Sequence, residues 1–320
     1  MENNLIMSSS PHIHTNVTTR RIMLDVIIAL MPTLIAGIII FGINALVVTA
    51  EAVAVAIAAE WVWNKIMKKK QTTGDLSAVV TGLLIGLNMP PQIPLWMVVI
   101  GTTFAIIIVK QMFGGLGKNF VNPALAARCF MLIAWTGAMT AFVEPLQPFM
   151  DAVSSATPLA IMKDGAVGTM PTLFECLIGI KAGTIGEVSG IALIIGFVYL
   201  LARRVVSIKI PCAYILSFAA LTFLFGKNAF DVNYLAYQIL TGGLLLGAFF
   251  MATDYTTTPT TSKGMIIFGI GCGVLTFLIR RFGGYPEGVS FSILLMNLAS
   301  PLIERFTIPK SFGNIGGARK

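Results

Sequence analysis

The sequence predicts an all-α polytopic membrane protein of about ten transmembrane helices, arranged as two inverted five-helix repeats. Three observations support this. Of the 320 residues, 56% are hydrophobic and 11% charged, with a mean hydropathy of +0.85. A soluble domain carries about 25% charged residues, so this chain lacks the polar surface to face water all round. Apolar runs approaching the roughly 20 residues that cross a bilayer as a helix recur along its whole length. Lysine and arginine, finally, fall unevenly between those runs.

The runs lie near 22–42, 45–63, 76–89, 94–112, 121–142, 186–202, 209–226, 234–252, 264–280 and 288–303. The third is short and stops at Asn88-Met89-Pro90-Pro91, because two prolines in succession remove backbone donors and cannot continue a helix. It is either a half-spanning helix that ends inside the protein or a full one that begins earlier in the basic loop. With the N-terminus in the cytoplasm, only Lys163, Lys181, Lys227, Arg280 and Arg281 fall on the outer side. Arg128 lies within the fifth span, and the other sixteen of the 22 basic residues fall on the inner side, the expected positive-inside bias.

Five spans on each side of the long outer loop require the second set to be inverted relative to the first. Such repeats place binding sites at their interface, beside broken helices. The organisation read from the chain is a cytoplasmic tail over 1–20, a first repeat over 21–142, an extracytoplasmic loop over 143–185, a second repeat over 186–305 and a cytoplasmic tail over 306–320. The first eighteen residues are polar and do not form a charged segment leading into a cleavable apolar core, so the first span is expected to stay in the protein. Net charge +8 and a pI near 9.4 are explained by cytoplasmic loops rather than by nucleic acid.

Several polar groups stand out against this background. Val153-Ser154-Ser155-Ala156-Thr157-Pro158 is a hydroxyl-rich stretch in the outer loop, weak as a signal by itself. Gly114 to Pro123, GGLGKNFVNP, sits between the fourth and fifth spans. Its glycines permit close backbone approach to a ligand, and Asn119 and Asn122 add amides at a helix start, so it suits a flat polar ring such as an isoalloxazine. A tight turn with an asparagine cap accounts for the same residues. Arg128, a charge in an apolar helix, calls for a flavin phosphate, an ion-pair partner or a cluster of carbonyls. Asp25, Glu51 and Glu60 are the carboxylates within or beside spans, with Asp25 and Glu60 expected at the interface.

Asp254, leading into Tyr255-Thr256-Thr257-Thr258-Pro259, suits Na+ or a flavin ribityl chain, or else a cap and turn before the ninth span. Glu287 in Gly283-Gly284-Tyr285-Pro286-Glu287-Gly288 is expected to pair with Arg280 or Arg281. The only histidines, His12 and His14, lie in the N-terminal tail, which excludes a Ser-His-Asp set and haem ligation within the membrane. Cys129, Cys176, Cys212 and Cys272 are scattered without a CxxC pair and read as free thiols.

Six strings occur in one order: Pro90-Pro91 with Leu95-Trp96, FGGLGKNFVNP over 113–123, SSATPL over 154–159, Ile185 to Ser189, FFMATD ending at Asp254, and YPEG over 285–288. Together they resemble the RnfD/NqrB family of membrane subunits from Rnf and Na+-pumping NADH:quinone reductase complexes, over roughly residues 20–305. Length and the short N-terminal segment favour the RnfD branch.

The resemblance implies FMN esterified through its phosphate to Thr157, the last residue of a motif that is usually S-G-A-T, with Ser155 here in place of glycine. Ser154 and Ser155 are the local competitors. It further implies a non-covalent riboflavin near Asn119 and Asn122, and a helical arrangement like that of urea transporters. It also implies partner subunits, one of them bearing a second covalent FMN, in a complex of the cell membrane that couples electron transfer between ferredoxin and NAD to Na+ or H+ translocation. A secondary transporter or channel without a redox cofactor is the alternative that the inverted repeat alone would suit.

Overall fold

The computed structural model describes residues 17–146, 155–164, 170–284 and 287–309. Ser154, Tyr285, Pro286 and both histidines lie outside the described residues. Four helices are long and apolar enough to cross a membrane: α1 (Thr19–Phe41), α2 (Ile43–Ile66), α13 (Ser262–Phe282) and α14 (Val289–Thr307). A bent pair, α11 (Val232–Leu240) and α12 (Leu244–Met251), meeting at 63°, is together long and apolar enough to form a fifth. The other five predicted spans hold shorter apolar helices: α3 (Ser77–Leu87), α4 (Leu95–Gln111), α5 (Pro123–Ala134), α9 (Gly190–Ala202) and α10 (Lys209–Phe225). Among the described residues, three short helices complete the set: α6 (Thr136–Met139), α7 (Pro158–Asp164) and α8 (Leu173–Ile178).

Local chemistry sets the breaks. Thr18 caps α1 by accepting from the Arg21 amide. Gly42 then ends it at φ 71, a left-handed conformation that glycine adopts without cost, and α2 starts at the next residue. The bend between α11 and α12 falls at Thr241-Gly242-Gly243, with Gly242 also at φ 71. Two helices are wound more loosely, with π geometry, at their C-terminal ends: α4 over Phe104–Gln111 and α12 over Gly247–Met251. Such widenings recur at functional sites.

Of the two alternatives for the third span, the half-spanning helix is the one observed. α3 ends at Leu87, and Asn88 and Met89 are fully buried. The chain leaving α3 meets the extended segment before α9: the Ile185 amide donates to the Met89 carbonyl at 3.1 Å, and the Gly186 amide to that of Leu87 at 2.7 Å. A Cβ on Gly186 would lie 2.9 Å from the Leu87 oxygen, so only glycine permits this approach. Backbone that would otherwise be unsatisfied at the end of a broken helix is thereby paired inside the protein.

The core is aliphatic and aromatic, with Leu30, Ile85, Met131, Leu193, Tyr214 and Phe268 fully buried. Large apolar side chains also line the outside of the helices, among them Ile39, Val198, Leu216 and Leu298, each more than half exposed. So many exposed large apolar side chains on helices of this length suit a surface that meets lipid.

Two cations, one at the end of the fourth apolar run and one in the predicted outer loop, are buried. Lys110 lies within α4 and Lys181 in the segment before α9, exposed by 2% and 3%. Lys110 ion-pairs with Glu60 at 2.8 Å, and Lys181 donates to the Cys176 and Leu240 carbonyls. Their charges are held by partners 50 and 59 residues away in the chain, which no local pattern reveals.

A polar cleft and a buried ion cluster as the candidate functional site

A cleft of about 790 Å³ opens between α1, α3, α4, the start of α5 and the turn after α12. Its walls are mostly apolar, including Ile22, Val26, Leu84, Leu200 and Phe250. Its polar lining comes from Asn119, Asn122, Asp254, Thr256, Ser77 and Lys110. Three residues singled out from separate stretches of sequence are therefore brought together, and both loosely wound helices contribute to the wall through Lys110 and Phe250.

The structure shows how each is held. The Asn122 side-chain oxygen accepts from the Ala124 and Leu125 amides at 3.0 and 3.4 Å, capping α5 just before Pro123. Its nitrogen donates to the Met251 carbonyl at 3.3 Å and so joins the start of α5 to the end of α12. The cap reading of Asn122 is thus correct, at a residue that also lines the cleft. Asn119 donates to the Val121 carbonyl at 3.0 Å.

Asp254 accepts from Thr256 and Thr257 at 3.0 and 3.2 Å, and its carbonyl from Thr258 at 2.7 Å. The hydroxyl run folds around the carboxylate. The cap of α13 is Thr261, which accepts from Gly264, and not Asp254. Burial holds the Asp254 carboxyl above its usual range, against the lowering effect of these threonine hydroxyls.

Beneath the cleft, Lys110 donates to Ser77 at 2.6 Å as well as to Glu60. Ser77 in turn donates to Asp75 and Thr72 to Glu60, both at 2.6 Å. At its buried centre, Glu60, Lys110 and Ser77 fix one another's positions, because a broken link there leaves a desolvated group unpaired. Glu60 therefore sits in a buried ion pair near the end of α2. Asp25 is also buried, held by Tyr199 at 3.0 Å and Arg203 at 3.3 Å. Glu51 keeps one buried oxygen without a hydrogen-bond partner.

Arg128 belongs to a different constellation. Its guanidinium meets Glu187 at 2.7 Å and the Asn88 side-chain oxygen at 2.5 Å, and also pairs with Glu287. Four elements converge here: the end of α3, α5, the segment before α9 and the residue pair before α14. Of the partners that the sequence left open for Arg128, the structure supplies carboxylates, and Arg128 does not line the cleft. The expected pairing of Glu287 with Arg280 or Arg281 is not found. Arg280 instead donates to the Gln238 carbonyl at 2.6 Å and stacks 5.0 Å from the Phe218 ring. Sequence reasoning missed Glu187 and Asn88 as partners, although both lie beside glycine or proline breaks in apolar surroundings.

Thr157 is buried at 6% exposure, and its hydroxyl accepts from the Ala160 amide at 3.3 Å, capping α7. Ser155 donates its amide to the Phe142 carbonyl at 2.9 Å. Residues of α7 line a second pocket that also takes in the C-terminal ends of α10 and α13, whereas Val205 and Val206, just before α10, line the cleft. Thr157 and the cleft therefore lie toward opposite ends of α10, whose 17 residues extend about 25 Å.

An all-helical membrane protein with broken helices, a polar cleft and a central buried ion cluster is the class that these features define. The chain belongs to the NQR2, RnfD, RnfE family, whose model matches residues 6–313. Over 314 residues it is 49% identical to a component of the Na(+)-translocating ferredoxin:NAD(+) oxidoreductase complex of Acetobacterium woodii, covering 98% of this chain and 96% of that one. It is 41% identical to the equivalent component of the proton-translocating ferredoxin:NAD(+) oxidoreductase complex of Clostridium ljungdahlii, covering 98% and 97%. With the equivalent component of the ion-translocating oxidoreductase complex of Pectobacterium atrosepticum the identity is 36%, covering 96% and 98%.

Proposed function

We propose that this chain is the flavin-carrying membrane subunit of a Rnf-type complex that passes electrons between ferredoxin and NAD and couples this to Na+ or H+ translocation. The near-complete match to subunits named for that reaction carries the proposal. It acts within a multi-subunit assembly, including a second subunit with covalent FMN, and not alone. The relatives include both a sodium- and a proton-translocating complex, so family membership leaves the ion open.

The proposed arrangement is ten crossings in two inverted repeats, like urea transporters, in the cell membrane with both termini cytoplasmic. Two long pairs, one bent pair and several half-length helices suit that design. A cysteine at Met170, in a chain with Cys212→Ser, is expected to react with an impermeant maleimide in intact cells. Labelling confined to lysed cells would reverse the topology.

Riboflavin is assigned to the cleft and FMN to Thr157, and the residues present suit both. The cleft combines apolar walls for a ring with amides, a carboxyl and hydroxyls for its polar edge and ribityl chain. At Thr157 the capping bond uses the hydroxyl oxygen only as acceptor, so its own proton remains available for replacement by a phosphoryl group. The bound flavins would supply the electron-carrying chemistry. The chain's own residues would position them toward opposite faces, orient the ring through Asn119 and Asp254, and exclude water with the apolar wall.

Asn119→Leu tests the cleft cleanly, because Asn119 caps no helix. The expected result is loss of non-covalent riboflavin from the assembled complex with covalent flavin retained. Changing Asn122 instead would add about 1 kcal/mol of lost capping. An Asn119→Leu complex with full riboflavin content would remove the cleft assignment. A transporter or channel without cofactor, the alternative, requires the purified complex to carry no flavin in this subunit.

A further inference from the structure

Of the five basic residues expected on the outer face, four meet in one place. Lys163 of α7, Lys227 after α10, and Arg280 and Arg281 at the end of α13 line a pocket of about 460 Å³. No acidic side chain is among the described residues lining it. Cations are sparse on this side of the chain, so their gathering calls for a cause.

Two buried polar atoms of the pocket residues have no hydrogen-bond partner among the described residues: the Thr222 hydroxyl and the Arg280 Nε. Both residues are more than nine-tenths buried. Unsatisfied buried groups are rare in native proteins and point to a bound ion or molecule. Lys163 donates to the Gly283 carbonyl at 2.5 Å and Lys227 to that of Lys163, contacts that hold the two ammonium groups in place.

Exposed apolar rings stand beside the pocket-lining cations in the chain. Phe225, Phe230 and Phe282 are each more than 60% exposed, at the same ends of α10 and α13 that carry Lys227, Arg280 and Arg281. Arg281 lies 5.7 Å from the Phe282 ring. Exposed apolar rings at helix ends suit contact with acyl chains, and basic side chains beside them place their charges at headgroup level. A basic pocket between helix ends, with exposed phenylalanines beside it, suits a phosphate group paired by arginine and lysine and acyl chains lying along the rings.

We propose that this pocket binds the phosphate of an anionic phospholipid on the outer face. Arg280 and Thr222 form its floor and Lys227 and Arg281 its mouth. A phosphate ester could also come from flavin attached at Thr157, since Leu159 and Lys163 of the same helix line the pocket. Thr157 itself does not line it, and the exposed rings beside it favour lipid.

The test uses the complex purified in detergent, with retained phospholipid quantified by mass spectrometry and the midpoint of thermal unfolding measured on adding phosphatidylglycerol or phosphatidylcholine. The expected results are retained anionic lipid and stabilisation by phosphatidylglycerol alone. In Lys227→Gln/Arg281→Gln, affinity for phosphatidylglycerol should fall about 30-fold, from two lost interfacial cations, with covalent flavin unchanged. In Thr157→Ala the lipid should remain. Equal stabilisation by both lipids, or lipid retention unaltered in the double variant, would overturn the proposal. So would a loss of anion binding in Thr157→Ala, which would make the flavin phosphate the occupant. Failure of flavin attachment itself appears separately, as absent covalent flavin in the wild-type chain.

Discussion

Thr157→Ala is expected to yield an assembled subunit that carries no covalent flavin and a complex that no longer transfers electrons. The substitution removes the oxygen on which the ester would form. It also removes the acceptor that caps α7, at a cost of about 1 kcal/mol, which is too little to unfold a chain of this size. Thr157→Ser keeps both oxygen and cap, so it should fold like the wild type and report separately on whether attachment requires the methyl group. The measurement is in-gel fluorescence of the denatured subunit beside the activity of the intact complex. Full fluorescence in Thr157→Ala, mapped to Ser154 or Ser155, would move the attachment site.

The second large effect is expected at Arg128. Arg128→Met leaves the buried Glu187 and the partly buried Glu287 without their cation. Breaking a buried pair by removing one partner costs about 3–5 kcal/mol, and here two carboxylates lose the same partner. The cluster ties the end of α3 to α5, to the segment before α9 and to the start of α14, so the variant should unfold well below the wild type in detergent or fail to assemble. Adding Glu187→Gln and Glu287→Gln removes the stranded charges and should recover part of the loss. No recovery in the triple variant would show that Arg128 contributes by shape and hydrogen bonding rather than by charge.

Much of the fold was legible because a bilayer imposes length and composition on each helix. All ten apolar runs hold helices, and the double proline at 90–91 marked a real break. The bend at Gly242 was not legible, since Thr241-Gly242-Gly243 sits inside a run with no proline. The site was legible in part. Asn119, Asn122 and Asp254 drew notice from glycine, amide and hydroxyl context, and they share one cleft.

The ion pairs were not legible. Lys110 reads as the end of an apolar run because Glu60 lies 50 residues earlier, and Arg128 finds Glu187 and Glu287 at separations of 59 and 159 residues. Pairings at that range are settled by packing and leave no periodic trace. The hydroxyl of Thr157 read as part of an open loop, whereas the turn that buries it depends on Phe142 holding Ser155 and on α7 beginning at Pro158.

The central claim is that this subunit carries flavin, one molecule of it bonded to Thr157. Intact-mass analysis of the chain isolated from its complex tests this most directly, followed by fragmentation to locate any addition. The expected mass exceeds that of the sequence by one FMN less one water, with the excess on the fragment containing Thr157. A chain with the mass of its sequence alone, isolated from an electron-transferring complex, would contradict the claim.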